Sequence, residues 1–128
     1  MYSTELLDHF EHPRNAGELQ DATSRARIEN PACGDVLELA VRIAGGRIED
    51  IRFRAKGCVP AMGCASAVTE LAKGKPVEQA RAIDKQDVVA AVGGLPPASG
   101  HAAQLAIDAL RAALHKTGRN RPDTIAVN

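Results

Sequence analysis

At 128 residues, with 45% apolar side chains but only Tyr2, Phe10 and Phe53 as aromatics, the chain can bury a core made of Ala, Val, Leu and Ile. Its sixteen basic and sixteen acidic residues cancel, and neither sign forms a long run, which excludes a nucleic-acid footprint and argues against a membrane surface as partner. No apolar stretch approaches the ~20 residues that span a bilayer, and Glu5 and Asp8 stand where a secretory signal needs a basic start and a greasy run. Cys33, Cys58 and Cys64 make an odd count in small-residue surroundings, which points to reduced thiols and a cytoplasmic protein rather than a secreted disulfide framework.

In chain order, Ser3 to Glu11 reads as a short helix with Ser3 as N-cap and Leu6 and Phe10 one turn apart on its inner face. Pro13 and Gly17 end it. Arg25 to Asn30 alternates as a strand up to the turn at Pro31. Leu37, Leu39, Val41 and Ile43 alternate with Glu38, Ala40 and Arg42, and beyond Gly45-Gly46 the pattern resumes as Ile51, Phe53 and Ala55. Two such runs joined by a Gly-Gly turn predict an antiparallel hairpin with one buried face. From Ala61 the period becomes helical, with Ala61, Cys64, Val68 and Leu71 on one stripe and Gly74 just past the end. Pro76 opens a short helix, and Asp84 caps another through Val92. Pro96 and Pro97 form a stiff extended connector. The last helix runs from about Ala102 to Lys116, with Ala103, Ala106, Ile107, Leu110 and Leu114 inward and Gln104, Asp108, Arg111 and His115 wet. Strands first and helices after predict one α+β domain over 1–128: a small three-stranded antiparallel sheet with helices packed on one face, and a flexible tail over 118–128.

Chemistry-bearing residues gather at turns. Cys33 and Asp35 flank Gly34 between two strands, Cys58 follows Gly57 at the end of the hairpin, and His101 precedes the last helix. Two thiols, a carboxylate and an imidazole match zinc in number and type, and a thiolate-rich set also suits iron–sulfur chemistry. The plainer alternatives are two small buried cysteines and a capping or surface histidine. His9, His12 and His115 read as surface residues. Cys64, on the apolar stripe, reads as a buried hydrophobe.

Leu7-Asp8-His9-Phe10-Glu11-His12-Pro13-Arg14-Asn15-Ala16-Gly17 resembles the opening signature of NifU/IscU-type scaffolds, D-H-Y/F-x-x-P-R-N-x-G. Asn30 to Asp35 is similar to that family's first cysteine motif. Gly57-Cys58 with Val68-Thr69-Glu70 and Lys73-Gly74-Lys75 is similar to its second, and Leu95-Pro96-Pro97 with His101 resembles the entry to its third. The resemblance implies the same sheet-and-helix fold and a non-enzymatic role. It implies a scaffold on which sulfur from a cysteine desulfurase and iron become a transient [2Fe–2S] cluster, passed on to apo iron–sulfur acceptor proteins. It implies Cys33, Asp35, Cys58 and His101 as ligands. The family's third cysteine should follow the histidine, and here that position is Ala102, at what reads as the exposed start of the last helix. The chaperone-recognition segment L-P-P-V-K is also broken, because Ala98-Ser99 follow Pro97, so recognition by an Hsp70-type chaperone is not expected. Zinc-bound sulfurtransferase accessories of the SufU type form the alternative reading, but they carry extra residues between the second and third motifs. Only 43 residues separate Cys58 from Ala102 here. A non-catalytic interaction module that keeps the fold is the third.

Overall fold

Alternation in the first half and helical period in the second become a three-stranded antiparallel sheet followed by helices, in a computed structural model that describes residues 2–30 and 34–118. Strands β1 (Ser24–Asn30), β2 (Asp35–Ala44) and β3 (Arg47–Lys56) lie in that order. The register pairs Ala26 with Leu39, Leu39 with Phe53 and Val41 with Ile51, so one face collects the apolar side chains and all of these are buried. The β2–β3 turn is tight because Gly45 and Gly46 both take positive φ, 60° and 76°, as the favoured hairpin turn requires. A register shift between Arg42 and Ile43 departs from the simple alternation. It leaves Ile43 half-buried and turns Ile48, which the alternating pattern missed, fully into the core.

Helix α1 (Thr4–Glu11) starts as expected: the Ser3 hydroxyl accepts from Leu6 N at 2.9 Å and donates to the Val92 carbonyl. Its buried pair is Leu6 and His9, not Leu6 and Phe10. Phe10 is exposed, and His9 is inside because Ser66 of the next helix supplies a polar partner that pays for its desolvation. The segment after α1 then lies along β3, with Gly17 N donating to Phe53 O and Phe53 N to Asn15 O, both at 2.9 Å.

Helix α2 (Val59–Ala72) starts earlier than its apolar stripe suggests, with Pro60 in its first turn. It is the central rod: α1, β3, α4 (Lys85–Ala91) and α5 (Gly100–Gly118) all pack on it, so residues all round it are buried and Leu71, on the supposed inner stripe, is only half-buried. Its Ala, Gly, Ser and Cys side chains are small enough to admit neighbours from every side. Short α3 (Val77–Arg81) follows Pro76, and α4 (Lys85–Ala91) begins with a capping box between Asp84 and Asp87. Only Pro96 stays extended in the connector, since Pro97–Ser99 form a 3-10 turn leading into α5 (Gly100–Gly118). The inward and wet sides of α5 fall on the residues named from the sequence, and the helix covers β1 and β2. Residues 119–128 of the expected tail, and Pro31, Ala32 and Cys33, lie outside the described residues.

Candidate metal centre

Three chain junctions meet at one end of the sheet. Asp35 opens β2 opposite Asn30, Cys58 is the N-cap of α2 just past β3, and His101 is the second residue of α5. Among the described residues, Asp35, Cys58 and His101 form a three-donor group with ligand atoms all within 4.8 Å of one another. Asp35 organises it. Its carboxylate is 2% exposed, accepts from Cys58 N at 3.2 Å through Oδ1, and places Oδ2 3.6 Å from both Cys58 Sγ and His101 Nε2. A buried carboxylate with these partners holds its negative charge facing a thiol and an imidazole. That is the donor chemistry of a cation site.

Gly57 makes room for this carboxylate. A Cβ at position 57 would stand 2.3 Å from Asp35 Oδ1 and 2.8 Å from its Cγ. Sequence reasoning noted Gly57 as a turn residue and missed this role. The signal was there, in a glycine directly before the cysteine. Partial burial pushes the Cys58 thiol above its ordinary value and the Asp35 charge adds to this, while the Ala61 backbone N–H works against it. A cation held there would favour the Cys58 thiolate and reverse that balance.

The expected site residues therefore divide. Asp35, Cys58 and His101 are brought together, and Cys33 lies outside the described residues. Ala102 differs from the reading as an exposed helix start. Helix α5 begins two residues earlier, and Ala102 is 1% exposed within the hydrophobic core. Cys64 is fully buried as expected, with its thiol pushed up to about 12 by burial and further by Cys58. Because thiolate is the reactive form, iodoacetamide should label Cys64 in the folded protein at least about tenfold more slowly than Cys58, with the difference gone in denaturant. Peptide mapping that found equal native rates would contradict this burial.

Comparison with known proteins agrees with the fold. The pattern of the NifU-like N terminal domain family matches residues 1–122. A protein named iron–sulfur cluster assembly scaffold protein IscU 1, from Archaeoglobus fulgidus, is 44% identical over 114 residues, covering 89% of this chain and 74% of that one. The Escherichia coli K12 protein named iron–sulfur cluster assembly scaffold protein IscU is 39% identical over 117 residues, covering 88% and 91%. Among solved structures, a hypothetical protein superposes with a TM-score of 0.73 at 28% identity, covering 87% of this chain and 94% of that one. The N-terminal part of a nitrogen-fixing NifU-like protein from Brucella abortus gives 0.75 at 15% identity over 91% and 93%, a likeness of fold alone. With the motifs in order along the chain and a match from residue 1 to 122, this protein belongs to the NifU-like N-terminal domain family.

Proposed function

We propose that the protein is a scaffold and carrier on which an iron–sulfur cluster is assembled as cargo, held by Asp35, Cys58, His101 and Cys33. The observation that carries this reading is the convergence of a buried carboxylate, a thiol and an imidazole from three separate junctions within 4.8 Å, in a chain of this family. Cys33, two residues before Asp35 in the chain, is the proposed fourth donor. The set fits the group it would hold: two soft thiolates for iron with sulfide, and two harder donors, with Ala102 at the position of the family's third thiol. The same four donors suit one tetrahedral Zn²⁺, which we propose as the occupant when no cluster is loaded. The residues bind and orient the cargo and perform no turnover of their own. A cysteine desulfurase as sulfur donor and apo iron–sulfur proteins as recipients are the partners this role needs. Among the described residues no helix is long and apolar enough to cross a membrane, and we place the protein in the cytoplasm.

Anaerobic reconstitution with ferrous iron, cysteine and a desulfurase tests the reading through the visible absorption of the cluster. Cys58→Ala and Cys33→Ala should remove that absorption and lower the zinc content of the purified protein below that of the wild type. Colour and zinc that persist in both variants would dismiss the site. Ala102→Cys should lengthen the cluster's lifetime under chelator challenge by supplying a soft donor beside His101. Because Ala102 is packed in the core, the added sulfur should also cost the apo-protein about 1–3 kcal/mol. An unchanged lifetime would mean that the missing cysteine does not limit the site.

A further inference from the structure

The solvent face of the sheet is built unlike an ordinary wet face. Two cross-strand rows run over it. Arg25, Ala40 and Arg52 are paired in one, and Arg27, Glu38 and Arg54 in the next. The small residue at the centre of the first row leaves a hollow, and the four arginines with Glu18 and Glu38 surround an open depression of about 290 Å³. Ala40 lies at its centre and is 7% exposed although it points away from the core. The lining itself carries four arginines against two glutamates, and Glu29 and Asp50 just outside it pair with Arg27 and Arg52.

Each arginine is engaged. Arg25 donates to the Leu19 carbonyl at 2.7 Å, Arg52 lies 3.3 Å from Asp50, and Arg27 donates to Glu29 at 2.5 Å and lies 3.5 Å from Glu38. Arg54 pairs with Glu18. The exposed pairs of Arg27 and Arg54 contribute about 0–1 kcal/mol each, so an incoming anion can compete for them, whereas Asp50 holds Arg52 from a more sheltered position. The guanidinium fork matches carboxylate and phosphate oxygens two at a time. Arg25 and Arg52 stand two strands apart, roughly 10 Å between backbones, with side chains long enough to reach one guest over Ala40.

The geometry points to this depression as a binding site for a small molecule bearing two oxyanion groups, carboxylate or phosphate, held between Arg25 and Arg52 above Ala40. The size of the hollow restricts the guest to a small one, at the lower end of ligand pockets. The guanidinium forks of Arg25 and Arg52, one on either side of Ala40, favour a guest with an oxyanion group at each end. The site is separate from the Asp35–Cys58–His101 group and does not depend on how that group is read.

Calorimetric titration of the metal-free full-length protein with citrate and with pyrophosphate, at about 20 mM salt to limit screening, tests it. The wild type should bind at least one of the two, with citrate alone marking a carboxylate site and pyrophosphate alone a phosphate site. Arg52→Gln should weaken binding about tenfold, equivalent to 1.4 kcal/mol. Ala40→Leu should fill the hollow and abolish binding, with thermal unfolding as the check that the chain stays folded. If Ala40→Leu unfolds, Arg52→Gln alone decides. Cys58→Ala should bind as the wild type does. The proposal is overturned if neither anion binds, if Arg52→Gln binds like the wild type, or if Cys58→Ala loses binding. A short polyglutamate peptide that binds where both small anions fail would also overturn it.

Discussion

Gly57→Ala should lower zinc affinity by on the order of 10–100-fold, the range seen when the groups that orient metal ligands are disturbed. The new methyl carbon would lie 2.3 Å from Asp35 Oδ1, 2.8 Å from Cγ and 3.1 Å from Cβ, so small torsional adjustments cannot relieve the contact. Asp35 is 2% exposed, so the whole side chain must shift among buried neighbours. Moving it takes Oδ2 away from Cys58 Sγ and His101 Nε2, and takes Oδ1 away from Cys58 N, the first backbone donor of α2. Loss of that charge-assisted bond to the start of a helix should cost about 1.5–3 kcal/mol of stability as well. A competition titration against a chromophoric chelator reads the affinity, and thermal unfolding of the metal-free protein reads the fold. Wild-type affinity in Gly57→Ala would mean that Asp35 does not organise the site.

Ser66→Ala should destabilise the fold by about 1–3 kcal/mol, the cost of leaving buried polar groups without a partner, and lower the melting temperature by roughly 5–10 °C. Ser66 Oγ is fully buried, accepts from Arg14 N at 2.8 Å and lies 2.8 Å from His9 Nδ1. A neutral His9 can accept the Ser66 hydroxyl proton at Nδ1, which leaves Nε2–H facing Glu70 at 3.6 Å. Protonating His9 would force this arrangement apart. Burial, and then the nearby Arg14 charge, hold the His9 imidazole below the ordinary 6.5, with Glu70 and Asp8 opposing in part. For a histidine depressed in the folded state the unfolded chain takes up the proton first. The stabilisation is therefore complete above about pH 6.5 and declines as pH falls below it. His9→Gln, which cannot titrate, should flatten the melting profile between pH 7 and 5. A profile as steep as that of the wild type would assign the acid sensitivity to another group.

The alternating run from Leu37 to Val41, the Gly45-Gly46 turn, the caps at Ser3 and Asp84 and the two faces of α5 were all legible in the sequence, because each depends on neighbours within a few residues along the chain. Asp35, Cys58 and His101 were legible as residue types at turns, and the family motifs tied them together. Their meeting point was decided by register and by the packing of α2 and α5 at one end of the sheet. Tertiary structure alone placed His9 inside and Phe10 outside, since Ser66, 57 residues away, supplies the partner that makes an internal histidine tolerable. It also buried α2 all round, which a one-face stripe does not encode. It enclosed Ala102, because α5 starts at Gly100 and packs its first turn against the core. Local periodicity reports which residues can share a face of an element. How many faces of that element are covered depends on what the rest of the chain brings against it, and only long-range packing settles that.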